Sequence, residues 1–253
     1  MISISIIGSG NVAQHLIKAV SKSANLELVQ VFARTKENLE SLVEPSKIIS
    51  DYTAFKAADL YLIAVSDNAI AEVSNHLPFN NQLVAHTSGS CALTDLNGNN
   101  RRAVFYPLQT FSKNKAVDFS IVPICLEAEQ TDDYQVLEQV AHSISNAVFS
   151  IDSEQRKSLH VAAVFVSNFV NHLYQLGNEL CDTYKVPFDI LKPLITETAN
   201  KIQTLSPQEA QTGPAKRNDT ITINKHLALL TDENHKEIYK ILTKSIIDHG
   251  KKL

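Results

Sequence analysis

The sequence predicts an α/β protein in which a doubly wound, mostly parallel β-sheet comes first and an all-α domain follows. Residues 1–151 alternate short β-branched runs with helical or loop stretches, and several runs are apolar without alternation, as in strands that are buried on both faces. After residue 151 the apolar residues recur at helical spacing instead. We therefore divide the chain into an α/β domain, residues 1–151, and a helical domain, residues 152–253.

The predicted strands of the first domain are short. They are "ISISIIG", "LELVQVFAR", "ADLYLIAVS", "QLVAHTS", "RAVFYPL", "SIVPICLE" and "NAVFSID". In the second domain, Asp152 is expected to cap a long first helix, with Gln155 completing a capping box. Further helices are expected at about 188–204, 219–230 and 232–249.

Composition and charge exclude several classes of protein. A formal net charge of -4 and a pI near 6.1 offer no basic surface for nucleic acid or anionic lipid. No apolar run approaches the roughly 20 residues that span a bilayer, so we expect a cytoplasmic protein with no membrane partner. The three cysteines are far apart and form no CxxC pair, which predicts neither a disulfide framework nor a metal site.

A glycine-rich turn follows the first predicted strand. In "GSGNVA", Gly8 allows a tight reversal, Gly10 allows a pyrophosphate to approach, and Ala13 allows the helix to pack on the strand. The helix N-terminus then offers free N–H groups to phosphate. This pattern predicts a Rossmann dinucleotide site, and an ordinary β–α turn is the alternative. The expected cofactor-binding residues at this turn are Gly8, Ser9, Gly10, Asn11 and Val12.

The end of the second strand predicts which dinucleotide binds. NAD enzymes usually place a carboxylate there for the ribose 2′-OH, but this chain has Arg34 followed by Thr35. A guanidinium can bind a 2′-phosphate through two hydrogen bonds, and the threonine hydroxyl can donate another. The pair favours NADP(H), and the alternative is a solvated surface arginine.

Three further strand ends carry polar residues, and ligands of such sheets lie at the carboxyl ends of the strands. The segment "AVSDNAI" supplies Val65 and Ser66, and "YPLQTFS" supplies Tyr106, Pro107 and Gln109. The segment "HTSGS" supplies His86, Thr87, Ser88 and Gly89, which suit a backbone close to a flat nicotinamide ring. Ordinary polar loops are the alternative. A hydrolase with Ser88 or Cys91 as nucleophile is disfavoured, because the GxSxG elbow is absent.

The first long helix offers a proton donor. His160 and Asn168 are eight residues apart, which places them on roughly one face of a regular helix. A reductase needs an acid beside the carbon that receives hydride, and a histidine of near-neutral pKa can serve. We therefore expect His160 to be the donor, with His86 second, although a packing histidine is the commoner arrangement.

The loop "TGPAKRND" concentrates charge in the helical domain. Lys216 and Arg217 could face a phosphate or an acidic substrate, and Asp219 is expected to cap the next helix. The alternative is a solvated turn that ends in a cap.

Taken in order, "IGSGNVA", "ART", "AVSDNAI", "HTSGS", "YPLQTFS", "LHVAAVFVSNF" and "GPAKRND" resemble a known family over nearly the whole chain. It is the family of Rossmann-like NADP oxidoreductases with a C-terminal helical domain of unknown function, of the DUF2520 type. Pyrroline-5-carboxylate reductase, deazaflavin-dependent NADP oxidoreductase and 6-phosphogluconate dehydrogenase are related in fold.

The resemblance implies NADP(H) in the first domain and a helical domain that closes the substrate site and forms a homodimer. It implies that Ser66 and the loop from His86 to Gly89 face the nicotinamide, opposite His160 and Asn168. One position departs from the pattern. The hydroxyacid dehydrogenases use a lysine and an asparagine four residues apart on this helix, and Val164 stands four residues after His160. The substrate is therefore not inherited from them.

The combined expectation is an NADP(H)-dependent oxidoreductase that moves hydride between nicotinamide and a small C=O, C=N or flavin-like acceptor. The alternative is a non-catalytic protein in which NADP(H) binding governs domain closure or partner binding.

Overall fold

A computed structural model describes residues 1–113 and 115–250 of the chain. The chain forms two compact units, Met1–Ser167 and the residues from Asn168 onward. The units part inside the helical segment that begins after Asp152. The domain boundary at residue 152 stays a prediction.

The first unit is built on one eight-stranded sheet in the order β3-β2-β1-β4-β5-β6-β7-β8. Strands β1 to β6 are parallel, β7 is antiparallel to β6, and β8 is parallel to β7. This confirms the mostly parallel sheet. The strands are β1 Ile2–Ile7, β2 Leu26–Phe32, β3 Ile48–Ile49, β4 Leu60–Ile63, β5 Leu83–His86, β6 Arg101–Pro107, β7 Ile124–Ala128 and β8 Val148–Ser150.

The helices of the described residues cover this sheet in the first unit and make up the second. In the first unit they are α1 Asn11–Lys22, α2 Asp67–Asn75, α3 Thr131–His142 and α4 Ser153–Ala163. In the second they are α5 Val170–Thr183, α6 Lys192–Lys201, α7 Pro207–Ala210, α8 Thr220–Leu229 and α9 Glu233–Gly250. A π-helical segment, Val164–Phe169, lies between α4 and α5. Among the described helices, none is long and apolar enough to cross a bilayer.

The core of the first unit lies on both faces of the sheet. Ile4 and Ile6 of β1 pack in one apolar cluster with residues of α1 and α3, and Ile7 packs in another with residues of α2. Since β1 is central and covered on both sides, its apolar residues do not alternate strictly with polar ones. The strand order reverses at β1, so the chain leaves β1 and β4 toward opposite faces of the sheet. This switch point opens the crevice where such folds bind ligands.

The predicted helix caps are confirmed. Asp152 accepts the Gln155 backbone N–H at 2.8 Å, and the Gln155 side chain accepts the Asp152 N–H at 3.0 Å. Asp219 accepts the Thr222 N–H at 3.0 Å, which caps α8.

The second unit buries little apolar surface. Among its described residues only Ala215, Ile223 and Leu230 are buried hydrophobics. Several large apolar side chains in the same unit are more than half exposed: Ile190 at 65%, Leu194 at 62%, Ile221 at 69% and Ile241 at 66%. Helices of this length normally bury a continuous apolar stripe.

Candidate functional site

The turn after β1 closes tightly on the end of β4. Gly8 has a φ of +137°, and a Cβ there would lie 2.2 Å from the carbonyl oxygen of Ala64. No side chain fits at that distance, and the backbone conformation itself favours glycine. Gly8 is therefore required by the protein's own backbone.

Gly10 is different, because a Cβ there would meet no described atom within 4 Å. Its φ of -73° suits any residue, so neither backbone strain nor packing requires glycine. Gly10 is the N-cap of α1, offers no side-chain cap, and is followed by no acidic residue in the first turn. The first N–H groups of the helix, at Asn11 and Val12, therefore lie at a positive helix end beside open space.

A cleft of about 670 Å³ extends from this turn along the carboxyl ends of the strands. All of the predicted residues at the glycine turn line it, together with Arg34, Thr35, Val65 and Ser66. The lining also includes three residues that sequence reasoning missed, Tyr52, Glu72 and His76. None of the three lies in a motif, because Tyr52 begins a 3₁₀ turn, Glu72 lies in α2 and His76 directly follows that helix.

Tyr52 connects the other two missed residues with Arg34. The rings of Tyr52 and His76 stack with centroids 5.7 Å apart. Burial raises the pKa of the Tyr52 hydroxyl, the charge of Glu72 raises it further, and the charge of Arg34 opposes both. Arg34 and Glu72 thus act on the same aromatic residue at this end of the cleft.

The donors in this cleft fit the phosphates of a dinucleotide. The free helix N-terminus and the open space over Gly10 suit a pyrophosphate, and the exposed Arg34 and Thr35 suit a 2′-phosphate. No described residue of β2 or of the three that follow it, up to Thr35, offers a carboxylate into the cleft where NAD enzymes usually place one.

The end of β5 differs from this cleft, because the side chains that follow the strand are buried from solvent. His86 is fully buried, and its Nδ1 accepts the Ser88 backbone N–H at 3.2 Å. Burial, followed by the charge of Arg156, lowers the pKa of His86 to about 4, against a smaller opposing effect of the Ala92 backbone. His86 is therefore neutral near pH 7 and shielded from solvent, which makes it a poor proton donor. Burial therefore disfavours His86 as a donor, and its role as the second choice stays a prediction.

The hydroxyl groups of the two residues that follow His86 form hydrogen bonds with the protein's own backbone. Thr87 Oγ1 donates to the carbonyl oxygen of Ile63 at 3.4 Å. Ser88 Oγ accepts the backbone N–H groups of Ser90 and Cys91, each at 3.0 Å. A serine so engaged and buried offers no support for the hydrolase alternative. The prediction that this loop faces a nicotinamide ring stays a prediction.

Gly89 lies under a pair of side chains from two other elements. Tyr106, at the end of β6, and His160, on α4, are joined by a 3.0 Å hydrogen bond between Oη and Nδ1. A Cβ on Gly89 would lie 2.6 Å from that Nδ1 and 2.8 Å from that Oη. Burial raises the pKa of Tyr106 to about 12, so the phenol stays protonated at neutral pH. Three elements therefore converge on one polar pair, which sequence spacing alone did not connect.

Two predicted groups belong to the second unit. The π-helical segment interrupts the regular spacing that predicted a common face for His160 and Asn168. Asn168 begins the second unit, and its role as a site residue stays a prediction. Lys216 and Arg217 are exposed in the second unit, and their role toward an acidic group also stays a prediction.

Comparison with protein families matches two parts of the chain. Residues 3–88 match the family described as NADP oxidoreductase coenzyme F420-dependent. Residues 122–246 match a domain of unknown function, DUF2520. Comparison with curated proteins gives no match.

Solved structures match the chain over nearly its whole length. A protein described as a putative NADP oxidoreductase, from Bacteroides fragilis, is 40% identical with a TM-score of 0.88, and 98% of each chain is covered. A reductive aminase from Aspergillus terreus, in complex with NADPH and ethyl levulinate, is 15% identical with a TM-score of 0.72, covering 99% of this chain and 95% of that one. A 1-pyrroline-5-carboxylate reductase from Streptococcus pyogenes is 17% identical with a TM-score of 0.61, covering 100% and 99%. The last two show similarity of fold alone.

Proposed function

Because this chain belongs to the family of NADP oxidoreductases that join a Rossmann-type domain to a DUF2520 domain, we propose that it catalyses hydride transfer between NADP(H) and a small acceptor. The acceptor is a C=O or C=N compound or a flavin-like molecule. The observation that carries the proposal is the Tyr106–His160 pair above Gly89, which lies at the same end of the sheet as the cleft.

The cleft residues have separate tasks in holding the cofactor. The N–H groups of Asn11 and Val12 bind the pyrophosphate at the α1 N-terminus, and the open space over Gly10 lets it approach. Arg34 and Thr35 bind the 2′-phosphate. When bound, NADPH supplies the hydride, and the protein supplies orientation and electrostatics.

The Tyr106–His160 pair supplies the proton. In this proposal the Tyr106 hydroxyl, which stays protonated, is the donor to Nδ1 of His160, and this assignment leaves the ring proton on Nε2. As Nε2–H protonates the acceptor oxygen or nitrogen, the Tyr106 hydroxyl passes its proton to Nδ1, so the ring stays neutral and the proton comes in the end from the phenol. Tyr106 fixes the tautomer and the ring orientation of His160.

The second unit supports a further part of the proposal, a homodimer. Its exposed apolar residues, among them Leu194, Ile221 and Ile241, are unusual for a helical unit in water. A second copy of the chain that packed there would bury them. A single-copy mass by light scattering at micromolar concentration would contradict this part.

The test is turnover of NADPH on a panel of imines, 2-keto acids, aldehydes and deazaflavins. For any acceptor that reacts, His160→Gln is expected to lower kcat by about 10²–10⁴, the usual contribution of a general acid. The affinity for NADPH should stay within threefold, because His160 is not among the residues that line the cofactor cleft. His142→Gln, an exposed histidine on α3, is the matched control and should leave kcat unchanged.

Tyr106→Phe tests the part played by the phenol, because it removes the hydrogen bond to His160 and leaves the histidine in place. Without the phenol, Nδ1 loses the group that binds it, so kcat should fall while the KM for NADPH stays within threefold. NADPH binding without turnover on any acceptor would favour the non-catalytic alternative. Equal activity of the wild type and His160→Gln would refute the assignment of the proton donor.

A further inference from the structure

Arg156 is a buried charge one helical turn before His160. It lies on α4, and it is 0% exposed. A guanidinium cannot lose its proton in a protein, so burying it costs free energy unless its N–H groups and charge are matched. Sequence reasoning missed this residue, because "SEQRKSLH" looks like the polar first turn of a surface helix.

The partners of Arg156 come from three elements of the first unit. Its Nη1 forms an ion pair with Glu127 on β7. Its Nη2 donates to the carbonyl oxygen of Cys91, in the loop after β5, at 2.6 Å, and to Ser153 Oγ at 3.3 Å. Ser153 Oγ in turn donates to both carboxylate oxygens of Glu127 at 2.9 Å.

These contacts connect the two sides of the proposed proton site. Cys91 follows Gly89 by two residues, and His160 follows Arg156 by four. One guanidinium therefore ties the Gly89 loop to the helix that carries His160. The clearance between Gly89 and the Tyr106–His160 pair is small, since even a Cβ would lie 2.6 Å from Nδ1. A shift of either element would break the 3.0 Å hydrogen bond of the pair.

Stability alone does not account for such a pair. Replacing a buried ion pair by apolar residues of similar volume is often neutral or stabilising. A guanidinium differs from an apolar side chain in that its N–H groups fix directions, here toward Glu127 and toward the Cys91 carbonyl.

We propose that Arg156 is a positioning residue, which holds the Gly89 loop and the His160 helix in the one arrangement that lets Tyr106 bind His160. The proposal rests on the proposed function only for the kinetic consequence. Arg156 itself touches no substrate, because it is fully buried.

The experiment compares two ion pairs in the same unit, each of which has one fully buried side chain. The test variant is Arg156→Met with Glu127→Leu. The matched control is Arg101→Met with Asp133→Leu, which removes an ion pair between β6 and α3 whose Asp133 side chain is 1% exposed. Arg156→Lys keeps the charge but cannot contact Glu127 and the Cys91 carbonyl through two fixed N–H groups. It replaces the double variant if that variant does not fold.

Two readouts need no substrate. Hydrogen exchange of the Ser90 and Cys91 amides should accelerate at least tenfold in the Arg156 variants and stay unchanged in the control. The ring ¹⁵N signals of His160, assigned with His160→Gln, should lose the Nε2–H tautomer pattern in the Arg156 variants alone. With an acceptor in hand, kcat should fall about 10- to 100-fold while the KM for NADPH stays within threefold.

Preserved loop protection and an unchanged His160 tautomer in the Arg156 variants would overturn the proposal, as would equal losses in the control pair. If the loop and the tautomer change but no acceptor ever reacts, the positioning role stands and the proposed function fails.

Discussion

Gly10 and Gly89 both follow parallel strands at the same end of one sheet, but the protein needs glycine at each for a different reason. A side chain at Gly10 would meet no described atom within 4 Å, whereas one at Gly89 would collide with His160 and Tyr106. A small residue that faces open space leaves room for a molecule from outside. A small residue that faces the chain's own side chains leaves room for those. We therefore expect the turn at Gly10, the open corner, to serve a ligand, and the turn at Gly89, the packed corner, to serve internal positioning.

The largest expected effect is at the packed corner. In Gly89→Ala, the new Cβ lies 2.6 Å from His160 Nδ1, so the histidine or the loop must move. Overpacking of this kind costs about 1–3 kcal/mol of stability, and misplacing a catalytic group by about 1 Å costs on the order of 10² in rate. We expect kcat to fall by about 10²–10³ with the NADPH dissociation constant within threefold, measured by steady-state kinetics and fluorescence titration.

Gly98→Ala is the control for that change, because the nearest atom to a Cβ at Gly98 is 3.9 Å away at the end of the Arg102 side chain. It should leave kcat unaltered. A Gly89→Ala protein with wild-type kcat would show that the packed corner takes no part in the chemistry.

The second prediction concerns acid stability at the same corner. The pKa of His86 is lowered to about 4 in the folded protein, from an ordinary value near 6.5. The unfolded chain therefore binds more protons between those values, and the free energy of unfolding falls as the pH falls through this range. At pH 5 the loss from this group is about 2 kcal/mol relative to pH 8.

His86→Asn keeps an acceptor for the Ser88 N–H but cannot titrate. Urea unfolding at pH 8 and pH 5 should show a smaller acid loss in this variant than in the wild type. His142→Asn, at an exposed position, should retain the wild-type slope. Identical slopes for all three proteins would contradict the burial of a neutral His86.

The smallest of the three effects is at the open corner. Gly10→Ala places a methyl group where the cofactor phosphates approach, so NADPH should bind at least tenfold more weakly. The free energy of unfolding should stay within about 1 kcal/mol, because the backbone there suits alanine and no neighbour is displaced. Differential scanning calorimetry and NADPH titration measure the two quantities. A large loss of stability with unchanged affinity would reverse the assignment of the two corners.

The open corner was predictable from sequence, and the packed one was not. Gly8, Gly10 and Arg34 lie at fixed offsets in a strand–turn–helix unit, so local spacing is enough to predict a role for each. The doubly wound sheet followed from apolar runs for the same reason. The two-residue strand β3, Ile48–Ile49, is too short to leave a pattern.

The packed corner depends on contacts between distant segments. Tyr106 and His160 are 54 residues apart, and Arg156 and Cys91 are 65 apart. No local periodicity encodes such pairs. Arg156 stands among polar residues in the sequence, so it looks like a surface side chain, and only the tertiary structure shows that it is buried. The burial of His86 was missed in the same way, since a strand end looks accessible when burial is unknown.

The most direct test of the account is titration of the purified protein with NADPH and with NADH, followed by nicotinamide fluorescence. Arg34→Glu is run beside Lys36→Glu, an exposed lysine two residues further on that changes the net charge equally. We predict that NADPH binds at least tenfold more tightly than NADH, that Arg34→Glu removes this preference, and that Lys36→Glu keeps it. Loss of a charged hydrogen-bonded contact of about 1.5–3 kcal/mol corresponds to a roughly ten- to hundredfold change in affinity. Equal binding of the two nucleotides, or no binding of either, would contradict the account.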